Sequence, residues 1–480
     1  MTYQSVPAGL TAVPARQVAQ SGTLWKVFGL ALIAVMVISA ANLLDPVIRY
    51  DDYPALFADP EGFWSKTLSE GRWLNYVWHM REVVTPAWLN FAIYQAGWAL
   101  FAAAFAVAVM PGKDRIWFAC VLALTFLVAP PALLIAPWFN TLIPAMALLA
   151  GYAVLATRLS QYALRCLLPI FTLLTFLTYT TFPIILLLIC LVRTERRSLK
   201  DLAGLITLFG TSFIASLLAV YALNWQVHGV FGLVLDASRS AVPAHDLSGV
   251  VGNLQLFSDT LAVFRQKMSF NSHAVMIFHL AMISAATLVI ARRSPLEALY
   301  LHAGLWIGMA LVTVQILKFG VTVPVRAYHF AWIAYAILIL RACEELSRTP
   351  GLAGRMARNA VLLVTASYLL QVTIQFSAFR NWQAETRALA QDLATVPGPL
   401  FVTGILINHP SADKAGLQQP SALAGRIRQL TGRSVTLCET SPDACAHLPE
   451  ELLNPGSSAS PQIQIVQLDG ASVIVFPSRE

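Results

Sequence analysis

The chain has 480 residues, 57% of them hydrophobic and only 12% charged, with a formal net charge of +7 and a mean hydropathy of +0.65. A water-soluble shell commonly takes about a quarter Asp, Glu, Lys and Arg, so a soluble enzyme, a disordered chain and a disulfide scaffold are excluded. What remains is a polytopic membrane protein, in which Lys and Arg set topology rather than mark a nucleic-acid footprint.

Residues 1–23 form a polar, cytoplasmic tail ahead of the first apolar run, Leu24–Leu44. That run is long enough to span a bilayer, which takes roughly 20 apolar residues. It ends in Ser39, Ala40 and Ala41, a triplet resembling a signal-peptidase site, and is read as an uncleaved first helix. Further spans are predicted near 87–110, 116–136, 138–157, 166–178, 181–192, 202–224, 273–291, 296–317, 327–342 and 359–377. The 116–157 block carries Pro130-Pro131 near its middle. At ~1.5 Å per residue it is about twice too long for one crossing, so it is read as two.

Charge decides the 166–192 block. As two short helices turning at Tyr179, Thr180, Thr181 and Pro183, it places the basic clusters around Arg115, Arg165, Arg193–Arg197, Arg292-Arg293 and Arg341–Arg358 on the N-terminal side. As one helix it reverses that bias. Two helices are therefore expected, giving about eleven spans over 24–377, with the N-terminus inside and the C-terminus outside.

Two long outer loops result, at 45–86 and 225–272, and loops of this length are usually functional. In the first, Phe63, Trp64, Leu68, Trp73, Val77 and Trp78 recur at helical spacing, as on an interfacial helix. In the second, Leu254, Phe257, Leu261 and Phe264 form another amphipathic stretch. Trp64, Trp73, Trp78, Trp88 and Trp138 read as an interfacial belt.

Beyond 377, Gly, Pro, Ser and charge return, and 378–480 reads as a small α/β domain outside the membrane. Helices are expected at Glu385–Leu393 and Ala422–Leu430. Strands are expected at Leu400–Ile407, Ser434–Cys438, Ile463–Leu468 and Ala471–Pro477, with Asp469-Gly470 turning the last pair. Cys438 and Cys445 form a pair that an oxidising compartment would close into a small loop. Cys120, Cys166, Cys190 and Cys343 read as small hydrophobes.

The first outer loop, RYDDYPALFADPEGFWSKTLSEGRWLNYVW, carries the chemistry. Asp51 and Asp52 lie just beyond the first span, and like charges that close resist ionising together, so one acid is expected to hold a raised pKa and serve as a base. An Asp with Pro54 shortly after it is also how a helix starts, so helix capping stands beside catalysis. The pair offers ligands for one divalent cation, Mg or Mn. Basic residues of the outer face that suit a phosphate are Arg72, Arg239, Lys318 and Arg326, with Arg49 as a further one, and snorkelling is their structural alternative. His329 follows Arg326 and reads as a substrate contact or a packing residue. There is no Walker-type phosphate loop.

On this loop and the topology, the sequence resembles the GT-C superfamily of membrane glycosyltransferases. More narrowly it looks like the bacterial and phage O-antigen glucosyltransferase family, whose first outer loop shares a "DD…(aromatic)…GR" pattern. The resemblance covers about a third of the chain, and the TYTTFP unit departs from the family's usual Tyr-Gln pair. It implies an inner-membrane enzyme with a periplasmic C-terminal domain. The enzyme would move glucose or another hexose from a polyprenyl-phosphate donor to an envelope glycan or lipid acceptor such as O-antigen, a carboxylate of Asp51 or Asp52 acting as base. A glycolipid flippase or transporter is the first alternative. Only His279 and His302 sit deep enough in the spans to titrate, which disfavours a proton-driven carrier. An O-antigen polymerase or ligase is the second, leaning on Arg and His instead of the acids.

Overall fold

The computed structural model describes residues 15–235, 241–348, 350–404, 410–417, 420–453, 463–468 and 470–476. Among these, seven helices are long and apolar enough to cross a membrane: Ala87–Val109, Pro130–Arg158, Leu199–His228, Leu247–Met268, His273–Arg293, Pro295–Phe319 and Leu352–Ala394. Gly22–Ile38, Gln161–Phe176 and Phe182–Arg193 are apolar but shorter. The molecule is thus a mostly helical membrane protein with one small sheet.

The Ala87–Val109 helix is the hub. From Phe101 to Val109 it is apolar and buried on every side. It packs against the first helix, Ile116–Leu127 and Phe139–Arg158. Its run Ala102, Ala103, Ala104 and Ala106 is fully buried, and small side chains of this kind let neighbouring backbones approach closely.

Two segments differ from their sequence-based reading. The 116–136 span is interrupted: Ile116–Leu127 ends at Val128-Ala129, and Pro130–Ile135 starts a new helix. Pro130 and Pro131 suit a first turn, whose N–H groups have no intrahelical partner in any case. The second outer loop contains a helix apolar enough to span, Leu247–Met268, kinked at Asn253. The Asn253 amide donates to the carbonyls of Val242 and Leu317 (both 3.1 Å), which ties the kink to the end of Pro295–Phe319.

The two ends of the bundle are chemically unlike. At the end where Ala87–Val109 finishes, Glu297 receives Arg341 (2.6 Å) and Arg197 (3.3 Å), and Glu344 receives Arg341 (2.5 Å) and Arg115 (3.0 Å). Asp201 holds Arg165 (2.6 Å) and the Tyr300 hydroxyl (2.7 Å). These pairs lock four helix ends together and leave few guanidiniums without a partner there.

At the opposite end, the 45–86 loop folds into short helices at Tyr53–Leu56, Trp64–Glu70 and Trp73–His79. The single interfacial helix expected there is broken at Gly71, whose φ of +69° ends Trp64–Glu70 in the left-handed region. A Cβ at Gly71 would meet Val220 Cγ1 at 2.6 Å, so only glycine fits. The loop docks on the bundle: Trp64, Trp73 and Tyr76 cluster with His228, and Trp73 Nε1 donates to Asn224 (2.9 Å). Arg81 staples the loop to itself through the carbonyls of Ala55 and Trp78.

The C-terminal unit is a four-stranded mixed sheet of β1 (Leu400–Thr403), β2 (Val435–Leu437), β3 (Gln464–Leu468) and β4 (Ala471–Val475), in the order β2-β1-β4-β3. β1 runs parallel to β2 and β4, and β3 pairs antiparallel with β4. Helices Arg380–Ala394 and Pro420–Thr431 pack beside it, and a disulfide joins Cys438 to Cys445. Asp469, expected in the last turn, lies outside the described residues.

Candidate functional site

The two adjacent acids occupy a 3-10 turn, Tyr50–Asp52, where successive side chains point about 120° apart. They therefore enter different environments. Asp52 is fully buried. Its Oδ2 accepts from the Asn140 backbone N–H (3.0 Å) and Nδ2 (2.8 Å), and its Oδ1 from the Thr141 backbone N–H (2.7 Å). Asp52 thus closes the first turn of Phe139–Arg158, satisfying orphan donors from outside the helix. Burial pushes its carboxyl up to about 7, against the hydrogen bonds that favour the charge. This corrects the expectation for the pair: the shift comes from desolvation, not from the neighbouring acid, and Asp52 is not free to act as a base.

Asp51 is half-buried, and Trp138 Nε1 donates to its Oδ1 (2.6 Å). The Trp138 indole carries two guanidiniums, Arg326 at 4.4 Å and Arg49 at 5.2 Å from the ring centroid. Burial and the like charge of Arg326 both disfavour the Arg49 cation, and Asp51 opposes them. Among the described residues no carboxylate lies within ion-pair distance of Arg326. Two cations on one ring with a single neighbouring acid make a centre that an anion would stabilise.

The break between Gln161–Phe176 and Phe182–Arg193 extends this centre. Leu177 and Thr178 accept hydrogen bonds from Leu74 N and Asn75 Nδ2 (3.1 and 3.0 Å), which seats Trp73–His79 on the break. Tyr179, buried in the turn, has its phenol within reach of Arg326 and Arg72 over its ring at 5.3 Å. Arg72 is also paired with Glu70 (2.5 Å), which holds Lys66 (3.2 Å). Asp51, Arg49, Trp138, Arg326, Tyr179 and Arg72 are thereby linked side chain to side chain.

Three other expected residues do not join them. The Lys318 ammonium donates to the Ala244 carbonyl and so pins the second outer loop instead of facing a ligand. His329 is buried against Trp98 (4.9 Å between rings), below the surface on which Arg326 lies. Arg239 lies outside the described residues. The described residues hold no group of three His, Cys, Asp or Glu that would ligate a metal, and Asp52's oxygens are already filled, so the acidic pair does not fit a shared divalent ion. His279 and His302 also have structural partners: Tyr335 and Tyr368 for the first, Thr287 for the second.

Sequence reasoning missed Glu70, Tyr179 and Trp138 as members of the site. The one signal for Tyr179 was the polar break around it.

Beside the site lies an apolar cavity of about 730 Å³. It is walled by the 254–268, 273–293, 295–319 and 329–346 helices, with Phe257, Leu261 and Phe264 on the loop side and Trp306, Met309 and Trp332 deeper. Phe264 packs on Tyr328 (4.6 Å), which shares the Val325–Tyr328 turn with Arg326. The cavity wall thus touches, through Phe264, the turn that carries Arg326. No protein-family model matches this chain, and no curated protein matches it either.

Proposed function

We propose that the chain is a GT-C-type membrane glycosyltransferase that takes a hexose from a polyprenyl-phosphate donor and passes it to an envelope glycan such as O-antigen. The observation that carries this reading is the pair of guanidiniums stacked on Trp138 beside Asp51, one of them, Arg326, on a turn that a wall residue of the 730 Å³ apolar cavity, Phe264, contacts through Tyr328. The cavity suits a prenyl chain, and Arg326 and Arg49 suit its phosphate. The placement of most paired basic residues at the far end of the bundle supports about eleven spans in a bacterial inner membrane. The N-terminus is then cytoplasmic, and the site and C-terminal unit periplasmic.

In this mechanism the acceptor hydroxyl gives its proton to Asp51 as its oxygen attacks the anomeric carbon. The bond from that carbon to the phosphate oxygen breaks, and the phosphate leaves as an anion held by Arg326 and Arg49. In-line attack inverts the anomeric centre, and Asp51 returns its proton to water. Asp52 acts only by fixing the turn on which Asp51 stands.

A polyprenyl-linked glycan ligase or polymerase is the second reading, favoured by three arginines at a site with one half-exposed acid. The purified chain with radiolabelled polyprenyl-phosphate glucose and an O-antigen acceptor separates the readings. Asp51→Asn should lower transfer by about 10²- to 10⁴-fold, the usual worth of a general base, and leave donor binding intact. Arg326→Gln should weaken donor binding. Full transfer by Asp51→Asn removes the base-catalysed reading, and donor translocation without transfer points to a flippase.

A further inference from the structure

The segment that carries Asp51 belongs as much to the C-terminal unit as to the membrane bundle. Asp45 receives a two-pronged contact from Arg426 (2.6 and 2.7 Å) and a third from Arg387 (3.0 Å). Gln383 donates to the Asp45 carbonyl and to Asn42 (2.7 Å), and Asn42 in turn accepts from Val47 N (3.1 Å). Val47 is part of the same hydrophobic cluster as Trp382, Leu389, Leu423 and Ile474, with Tyr50 packed against it.

On the far side of the turn, Tyr53 lies flat on the Pro420–Thr431 helix. A Cβ at Gly425 would come within 2.3 Å of the Tyr53 ring, so the helix is in contact there through bare backbone. Arg428 stacks on Phe57 at 4.2 Å, one turn further on. Above the turn, a Cβ at Gly416 would meet the Arg49 guanidinium at 3.2 Å. The turn 49–52 is thus bracketed by contacts at 45, 47, 53 and 57, all made by residues more than 320 positions away.

We propose that the C-terminal α/β unit sets the geometry of the Arg49–Asp52 turn, with Asp45, Gln383, Arg387 and Arg426 acting as positioning residues and Gly416 and Gly425 as its fitted surfaces. The bundle alone holds this turn from below, through Asp52 on Phe139–Arg158 and the Arg49 N–H on the Pro137 carbonyl (3.0 Å). The C-terminal unit holds it from above, and the orientation of Arg49 and Asp51 toward Trp138 needs both. This inference rests on the site's geometry and holds whether the bound anion is a lipid phosphate or another phosphate.

The test uses the full chain labelled with 5-fluorotryptophan, the Trp138 resonance being assigned by loss in Trp138→Phe. Arg426→Gln and Asp45→Asn should each move the Trp138 signal, because its indole N–H bonds Asp51, and should leave Trp117 at the far end unmoved. Each should also weaken decaprenyl phosphate binding by about tenfold, which corresponds to roughly 1.4 kcal/mol. The conservative Arg426→Lys should restore part of the effect. Where Arg426→Gln fails to fold, Arg387→Gln, which removes the Asp45 contact of a mostly exposed side chain, supplies the same readout. An unmoved Trp138 signal in folded variants overturns the proposal. A moved signal in a chain that binds no prenyl phosphate at all leaves it standing and removes the proposed donor instead.

Discussion

Replacing Asp52 should separate a structural acid from a catalytic one through its pH dependence. In the folded chain burial raises the Asp52 carboxyl from 3.8 to about 7. An acid with a raised folded pKa holds its proton more tightly when folded, so stability is greatest below about 4 and falls as pH rises through about 7. At about 1.4 kcal/mol per unit, the decline between pH 5 and pH 8 is on the order of 3 kcal/mol. Asp52→Ala removes that decline and leaves three donors, from Asn140 and Thr141, without their acceptor. Each unmet buried donor costs about 1–3 kcal/mol. The variant should therefore be strongly destabilised at pH 5, and the gap to the wild type should narrow by roughly 3 kcal/mol at pH 8. Thermal unfolding followed by tryptophan fluorescence in detergent at the two pH values reads this directly. Parallel pH dependences for variant and wild type would refute the assignment of Asp52 as the buried acid at the start of Phe139–Arg158. Asp51→Asn keeps an oxygen for Trp138 and should stay within about 0.5 kcal/mol of wild type at both, as surface substitutions do.

Three further outcomes follow from the same contacts. Gly425→Ala drives a methyl into the Tyr53 ring and should cost about 1–3 kcal/mol, the usual range for overpacking, seen as a lower unfolding temperature. Ala310→Trp places bulk in the apolar cavity from an exposed position; it should raise the donor KM several-fold with the unfolding temperature unchanged, and an unchanged KM would mean that the cavity is not used by the donor. Replacing Cys438 and Cys445 by Ser opens a loop with a sequence separation of 7, worth about 2–3 kcal/mol by loop entropy, and should expose the C-terminal unit to limited proteolysis before the bundle.

Much of the helical layout was readable because its cause is local. A stretch of apolar residues long enough for a bilayer is visible without knowing its neighbours, and Pro130-Pro131 and the TYTTFP unit mark breaks through the backbone chemistry of proline and polar turns. The helix at 247–268 was placed in a loop because Asp259, Arg265 and Lys267 interrupt its apolar residues; only the cavity it walls reveals what Phe257, Leu261 and Phe264 face. The strands of the C-terminal unit followed from β-branched runs between turn residues, but their order, with β4 between β1 and β3, did not.

The sequence alone determined that this is a membrane-embedded helical chain with its acids and arginines in the loops and at the helix ends. Only the tertiary structure decided what each of them does. Asp51 and Asp52 are chemically identical neighbours, yet the turn sends one into a helix start and the other beside an indole that bears two cations. Arg426 and Asp45 are 381 residues apart and meet because the chain returns to its first loop. Burial and partnership are properties of the packed neighbourhood, and no local pattern encodes a neighbour supplied by the far end of the chain.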